Sequence, residues 1–210
     1  ASAMKPAVRP YLWLATAMGA LLAQAQEGTL RAVTVSAHGE LVAESLSVLG
    51  GAVLQGILAP IMDQPVNLLN AAVLAHERGL KVRLRVGEAD ERFANVLRVG
   101  YRTERAEHQC AGAVFSESHP RIVEIDGFHC EVRPEGNLLV YVNADRPGML
   151  ARVSEILADA KINIGGLSLG RVPGGKHALT VIATDEGVSA SVLKEIAKVK
   201  GVSKVRFIKL

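Results

Sequence analysis

From residue 137 to the end, the spacing of apolar side chains changes from strand to helix and back, in an order that few folds can accommodate. Residues 137–144 read as a buried strand. Residues 147–160 then place Leu150, Val153, Ile156, Leu157 and Ala160 on one helical face. A second strand is expected at 162–171, and Val172-Pro173-Gly174-Gly175 turns the chain into a third at 178–184. A second helix is expected over 188–200, with Leu193, Ile196 and Ala197 inward and Gly201 past its end, before 202–208 closes the sheet. The order βαββαβ predicts a ferredoxin-like antiparallel sheet with two helices on one face. Its bare opposite face and its edges invite pairing with a second copy.

The residues before this pattern read differently. Leu14, Met18, Leu21 and Leu22 share one face of an Ala/Leu-rich helix that follows Lys5 and Arg9. A secretory signal would look similar, but the run is too short and interrupted to span a bilayer. Ala1-Ser2-Ala3-Met4 read as residues appended ahead of the natural sequence and stay outside the fold reading. A strand at 30–36 is followed by the turn His38-Gly39 and a helix at 45–58, ended by Pro60 and Pro65. Gly50-Gly51 within that helix costs stability relative to alanine, which points to a close approach of another backbone. A helix at 70–77 closes at Gly79. In the next strand Val82, Leu84 and Val86 are expected to face a core and Lys81, Arg83 and Arg85 solvent. Strands at 94–101 and 105–115 lead to a hairpin, 121–125 and 128–132, joined by Asp126-Gly127, whose positive φ angles suit a tight turn. Residues 133–136 read as a linker. The chain is therefore expected to be α+β, with a mixed α/β domain at 5–134 and the ferredoxin-like domain at 135–210.

The 210 residues are 49% hydrophobic, enough for two cores, which excludes disorder. Cys110 and Cys130 are too few to staple a secreted scaffold and suit a reducing cytoplasm. A net charge of +3 is mild, and with 4% aromatic residues and no recognised binding motif the chain is not expected to bind nucleic acid. No membrane association is expected. No G-x-G-x-x-G run follows a strand, and Gly50, Gly51 and Gly56 have the wrong spacing and lie in a helical pattern. His108, Cys110, His129 and Cys130 cannot all converge, because neighbours on a strand point to opposite faces, and no metal is expected. No activated-nucleophile motif surrounds any Ser or Cys.

The chemistry concentrates at the junction Asn143-Ala144-Asp145-Arg146-Pro147-Gly148-Met149. Pro147 suits a first helical position and Asp145 a capping one. The unpaired amides of that first turn, at the positive end of the helix dipole, can hold a small carboxylate.

Asp145-Arg146-Pro147-Gly148-Met149-Leu150, followed after one helix by Ile162-Asn163-Ile164, closely resembles the ACT domain, a small-molecule sensing module. Upstream, Val8-Arg9-Pro10-Tyr11-Leu12-Trp13-Leu14-Ala15, Gly39-Glu40-Leu41, Pro65-Val66-Asn67-Leu68-Leu69-Asn70-Ala71 and Ile122-Val123-Glu124-Ile125-Asp126-Gly127 resemble the intervening domain of long-form D-3-phosphoglycerate dehydrogenase. The resemblance implies an allosteric substrate-binding domain at 5–134 and an ACT domain at 135–210. Together they form a regulatory region that is no enzyme by itself, its parent being an NAD-dependent dehydrogenase of cytoplasmic serine biosynthesis. It implies L-serine bound between two subunits of a homo-oligomer by Asn143, Asp145, Gly148, Met149 and Asn163. Asp145 would take the ammonium, amides near Gly148 the carboxylate, and Asn163 either. Asn143 departs from the family, which commonly carries an aromatic residue or His there. Arg121 and Arg133 match basic positions of an anion site for a phosphorylated metabolite. The alternatives are the small subunit of iron–sulfur L-serine dehydratase and a stand-alone ACT-type module. Taken as plain structure, Asp145 is a helix cap, Asn163 a turn residue, and Arg121 and Arg133 a basic strand edge.

Overall fold

The computed structural model describes residues 5–25, 27–116 and 118–210, so the reading of residues 1–4 lies outside the described residues. The chain divides into two compact units, 1–126 and 127–210.

In the first unit, α1 (Arg9–Ala25), β1 (Leu30–His38), α2 (Glu40–Glu44), α3 (Leu46–Leu58) and α4 (Ala71–Glu77) precede β2 (Lys81–Val86), β3 (Val96–Thr103), β4 (Glu107–Phe115) and β5 (His119–Ile125). The strands lie in the order β5-β4-β3-β1-β2, with β1 and β2 parallel and the other pairs antiparallel. Helices α1 and α3 bury Leu14, Met18, Leu21, Leu49, Val53 and Ile57. They cross closely because Gly19 and Gly56 lie at the contact: a Cβ on Gly19 would stand 2.2 Å from the Val53 carbonyl oxygen, and one on Gly56 2.0 Å from that of Thr16. The glycine pair singled out in the sequence packs less tightly. Gly50 faces the Leu84 side chain, and only Gly51 approaches a backbone atom, the Leu68 carbonyl oxygen. Gly39 at φ 104 leaves room for the Ala94 carbonyl, and the Asn95 Oδ1 beside it accepts from the Leu41 N–H at 3.0 Å, so the turn after β1 forms as expected.

The alternation in β2 holds, but the expected burial does not. Val82, Leu84 and Val86 are all exposed, Val86 by 65%, because β2 is the edge of its sheet and pairs only with β1. The Asn67 and Asn70 side chains serve local structure. Asn67 Oδ1 accepts from the amides of Leu69 (2.9 Å) and Asn70 (3.1 Å), while Asn70 Oδ1 accepts from the Asn67 amide at 2.8 Å. This reciprocal arrangement shapes the entry into α4.

The second unit contains β6 (Phe128–Val132), β7 (Asn137–Ala144), α5 (Met149–Asp159), β8 (Ile164–Arg171), β9 (His177–Thr184), α6 (Ala190–Lys198) and β10 (Val202–Lys209), with the strands ordered β10-β7-β9-β8-β6. From β7 onward this is the expected βαββαβ arrangement. Asp126 and Gly127, at φ 49 and 81, make the expected tight turn. The division between units falls at that turn, ahead of the linker at 133–136. β6 is held to β8 by the pairing of His129 with Arg171 and by the Glu131 amide donating to Ser168 Oγ at 3.0 Å.

Leu139, Tyr141, Val153, Leu157, Ile162, Ile182, Val188 and Ile196 form the core between sheet and helices, while Ala160 and Ala197 are exposed. The opposite sheet face, expected bare, has Leu138, Leu179 and Val181 buried. Val132 and Arg133 line a cavity with Leu138, Val181 and Ala183, so the segment entering β7 lies beside that face. The uncovered apolar surface is instead on β8, where Leu167 and Leu169 point to the helical side and remain exposed. No helix among the described residues is long and apolar enough to cross a membrane.

Candidate functional site

The β7–α5 junction forms a bend before the helix. Ala144 donates its amide to the Gly201 carbonyl at 2.7 Å, and Asp145 donates to the Lys176 carbonyl at 3.0 Å, which anchors the bend to both neighbouring strands. The helix begins later than the sequence implies. Gly148, at φ 85, is the N-cap, no side chain caps α5, and Pro147 lies ahead of it. Asp145 therefore is not a cap. Its carboxylate instead makes a two-pronged ion pair with Arg171, at 2.7 Å from Nε and 2.9 Å from Nη2. With Asp145 engaged by Arg171 and no side chain capping α5, the first-turn amides of the helix carry no side-chain partner. Met149, 3% exposed, plugs the core directly beneath them.

Asn143 is buried and internally satisfied. Thr180 Oγ1 donates to its Oδ1 at 2.8 Å, and its Nδ2 donates to the Ala144 carbonyl at 2.9 Å. Its amide fixes the end of β7 and has little capacity left for a ligand.

Asn163 lies at the other end of the sheet. Ile164 pairs with Thr184, and Thr184 with Asn137 at the start of β7, whereas Asp145 follows the end of β7. At ~3.3 Å per residue, β7 alone spans roughly 23 Å, and Asn163 and Asp145 of one chain lie beyond its two ends, at least about that far apart. The Asn163 Nδ2 donates to Asp185 Oδ2 at 2.7 Å, its amide donates to Glu186 Oε2 at 2.8 Å, and its carbonyl accepts from the Asp185 amide at 3.2 Å. One chain therefore carries two separate polar groups, one at the start of α5 with its N–H donors and one acidic, around Asn163. Arg171, Asp185 and Glu186 are parts of these that sequence reasoning missed. The run Thr184-Asp185-Glu186-Gly187, a polar turn after a strand, was the available signal for the acidic pair.

Arg121 and Arg133 belong to different units. Arg121 is half-buried and donates to the Pro120 carbonyl at 2.9 Å, while Arg133 is exposed and pairs with Glu135 at 3.2 Å. His108 pairs with Asp126 at 2.8 Å. Gly50, Gly51 and Gly56 lie inside α3 as packing positions, which removes them from any phosphate-binding loop.

Residues 7–126 match the family model of the D-3-phosphoglycerate dehydrogenase intervening domain, and residues 137–201 match that of the ACT domain. The chain is similar to the D-3-phosphoglycerate dehydrogenases of Methanocaldococcus jannaschii (29% identical, covering 97% of this chain and 38% of that protein) and Bacillus subtilis (28%, 97% and 39%). The Synechocystis enzyme is 30% identical over 97% of this chain and 37% of its own length. The chain thus spans less than two fifths of the length of these relatives. Both domains match in the expected order, and the chain belongs to the D-3-phosphoglycerate dehydrogenase family, of which it carries the intervening and ACT domains.

Proposed function

We propose that this chain is the ligand-sensing part of an NAD-dependent D-3-phosphoglycerate dehydrogenase of cytoplasmic serine biosynthesis, and that it binds L-serine between the second units of two copies. The observation that carries the reading is the separation of two complementary half-sites at opposite ends of one sheet. A free amino acid spans only a few ångströms, so Asp145 and Asn163 of one chain cannot hold it together. A two-fold pairing sets residue i of one copy against residue j of the other, which brings the α5 amides of one copy to the Asn163 group of its partner. Exposed Leu167 and Leu169 on β8, the strand that follows Asn163, supply apolar surface for that pairing.

The ligand carboxylate takes the open amides of α5 from Gly148 onward. Its ammonium takes the acidic end, where Asp185 and Glu186 supplement Asn163. Arg171 must loosen its hold on Asp145 if that carboxylate is to join in. Serine then biases the parent enzyme only through its preference for one arrangement of subunits over another.

Calorimetric titration of the dimer with L-serine is expected to show saturable binding that Asp145→Ala and Asn163→Ala each abolish, with sedimentation reporting a shift toward the dimer. A dimer that releases no heat with serine would overturn the reading. Asn143→Ala is expected to weaken binding less than either, because its amide is turned inward.

A further inference from the structure

β2 ends its sheet with one long side unpaired. It pairs with β1 alone, through six consecutive positions from Ala32–Lys81 to Ala37–Val86, without a register shift. A bare sheet edge is a template for another chain, and proteins blunt such edges with bulges, proline or charge. β10, which also ends the strand order, is blunted by an irregularity: its register shifts between Ser203 and Arg206, and Lys204 sits at φ 51. β2 has no such break, and all six of its residues are exposed. Charge is the one device it carries, and it carries it on one face only.

Val82, Leu84 and Val86 pair with the fully buried Val33, Val35 and Ala37, and so share the face that α3 covers, where Leu84 packs against Gly50. Leu68 lies against Gly51, the next residue of α3, so the apolar strip continues from the strand onto the turn before α4. Leu69 beside it is 91% exposed. Lys81, Arg83 and Arg85 occupy the other face. Among the described residues these three make no ion pair, and the Arg85 Nε donates to Ser36 Oγ at 2.7 Å. An apolar strip and a cationic strip therefore flank one unpaired backbone edge.

We propose that the free edge of β2 is a docking site for an extended segment of a partner protein in which acidic residues alternate with apolar ones, added to the sheet as a further strand. In this mode of recognition the backbone groups of the edge supply affinity and alternate side chains supply specificity. Residues paired across strands share a face, so the partner's apolar side chains cover Val82, Leu84 and Val86 while its carboxylates meet Lys81, Arg83 and Arg85. A second copy of this chain fits poorly. Two-fold pairing runs the two β2 strands antiparallel. With the helices of both copies on one side, it sets Arg83 against Arg85 twice, and like charges directly opposite destabilise. With the helices on opposite sides, it sets cations against valine and leucine. Charge thus selects an acidic strand over the chain's own. The docking site shares no residue with the serine reading and does not rest on it.

The test titrates the full chain, at low ionic strength, into a labelled hexapeptide of alternating glutamate and valine with blocked ends, following anisotropy and residue-resolved amide hydrogen exchange. Saturable binding is expected, with exchange slowed at 81–86 and unchanged at 202–209. N-methylation of every peptide nitrogen keeps the charges and is expected to abolish binding, because the donors of the added strand are gone. Arg83→Glu combined with Arg85→Glu is expected to weaken the glutamate peptide on the order of tenfold and to gain affinity for its lysine counterpart. Val86→Lys, on the apolar face, is expected to weaken the glutamate peptide severalfold. If the charge-reversed variant fails to fold, the N-methylated peptide and Val86→Lys decide. Unsaturable binding, equal affinity for the N-methylated peptide, or slowed exchange at β10 in place of β2 would overturn the site. Sedimentation in which the chain alone forms a dimer that Val86→Lys disperses would assign the edge to a second copy and overturn it too. So would displacement of the peptide by duplex DNA with Val86→Lys silent, since that describes an open basic surface and not a strand edge.

Discussion

Replacing Gly56 with alanine is expected to destabilise the first unit by about 3 kcal/mol, read as a lower urea midpoint at an unchanged slope. In an ordinary helix interior the same change stabilises by roughly 1 kcal/mol, because glycine has more backbone freedom to lose. Here packing reverses the sign. The new methyl carbon would stand 2.0 Å from the Thr16 carbonyl oxygen, 2.9 Å from its carbon and 3.0 Å from the Ala20 nitrogen. All three are backbone atoms of α1, so no rotamer change relieves the contact and the helices must separate. Separation would loosen the packing of Leu14, Met18, Leu49 and Val53, each fully buried. Gly19→Ala meets the Val53 carbonyl oxygen at 2.2 Å and is expected to cost a similar amount. The double variant should fall short of the sum, since either change alone parts the helices. Gly51→Ala is the control: its nearest neighbour is the Leu68 carbonyl oxygen at 3.2 Å, and a change within about 1 kcal/mol is expected. A Gly56→Ala midpoint at or above that of the parent would show that the helices do not cross so closely.

The second large effect is expected at Arg98. Its guanidinium lies 2.7 Å from Asp90 Oδ2 and 3.3 Å from both oxygens of Glu124, two carboxylates whose side chains are 7% and 9% exposed. Arg98→Met would leave those carboxylates buried without the guanidinium that contacts both, Arg92 lying 3.8 Å from Asp90 and 3.2 Å from Glu124, at a cost of about 3 kcal/mol at neutral pH. Glu124→Gln should cost less, because Arg98 keeps Asp90. The pH dependence separates this from simple loss of packing. Burial pushes the Asp90 carboxyl up, but the Arg92 amide, the Arg98 hydrogen bond and the charges of Arg98 and Arg92 outweigh it and hold it below its ordinary value of 3.8. A depressed folded pKa contributes stability that is present above the unfolded value and lost as pH falls through the folded one. In the parent, this contribution is therefore full at neutral pH and fades below about pH 4. The penalty of Arg98→Met should shrink over the same range as the stranded Asp90 carboxylate takes up its proton. A penalty that stays constant from neutral pH into that range would assign the loss to the aliphatic stem of Arg98.

The order of elements was legible wherever periodicity was strong. In 137–210 each helix and strand occurs where the spacing of apolar residues puts it, because one buried face per element is enough to define it. The Asp126-Gly127 turn was equally legible, since few residue pairs accept two positive φ angles. Burial was less so. Val82, Leu84 and Val86 have the pattern of a core strand, yet their exposure depends on β2 having a neighbour on one side only, which is a property of sheet order and not of the strand. The candidate site divides in the same way. Asp145, Gly148 and Asn163 were legible as residue types at a strand–helix junction and a strand start. Arg171, Asp185 and Glu186 were not, because they arrive through antiparallel pairing from distant parts of the chain. Asn143 carried no local sign that Thr180, on a neighbouring strand, would absorb its amide.

By itself, then, the sequence determined which segments are helix or strand and the family to which the two domains belong. Those properties follow from local spacing and side-chain chemistry. Only the tertiary structure decided that Gly19 and Gly56 are the contact between helices, that Asp145 faces Arg171 instead of capping α5, and that Asp145 and Asn163 lie at opposite ends of one sheet. Each depends on strand register and helix crossing, which arise from packing over the whole unit and leave no mark in any single stretch of chain.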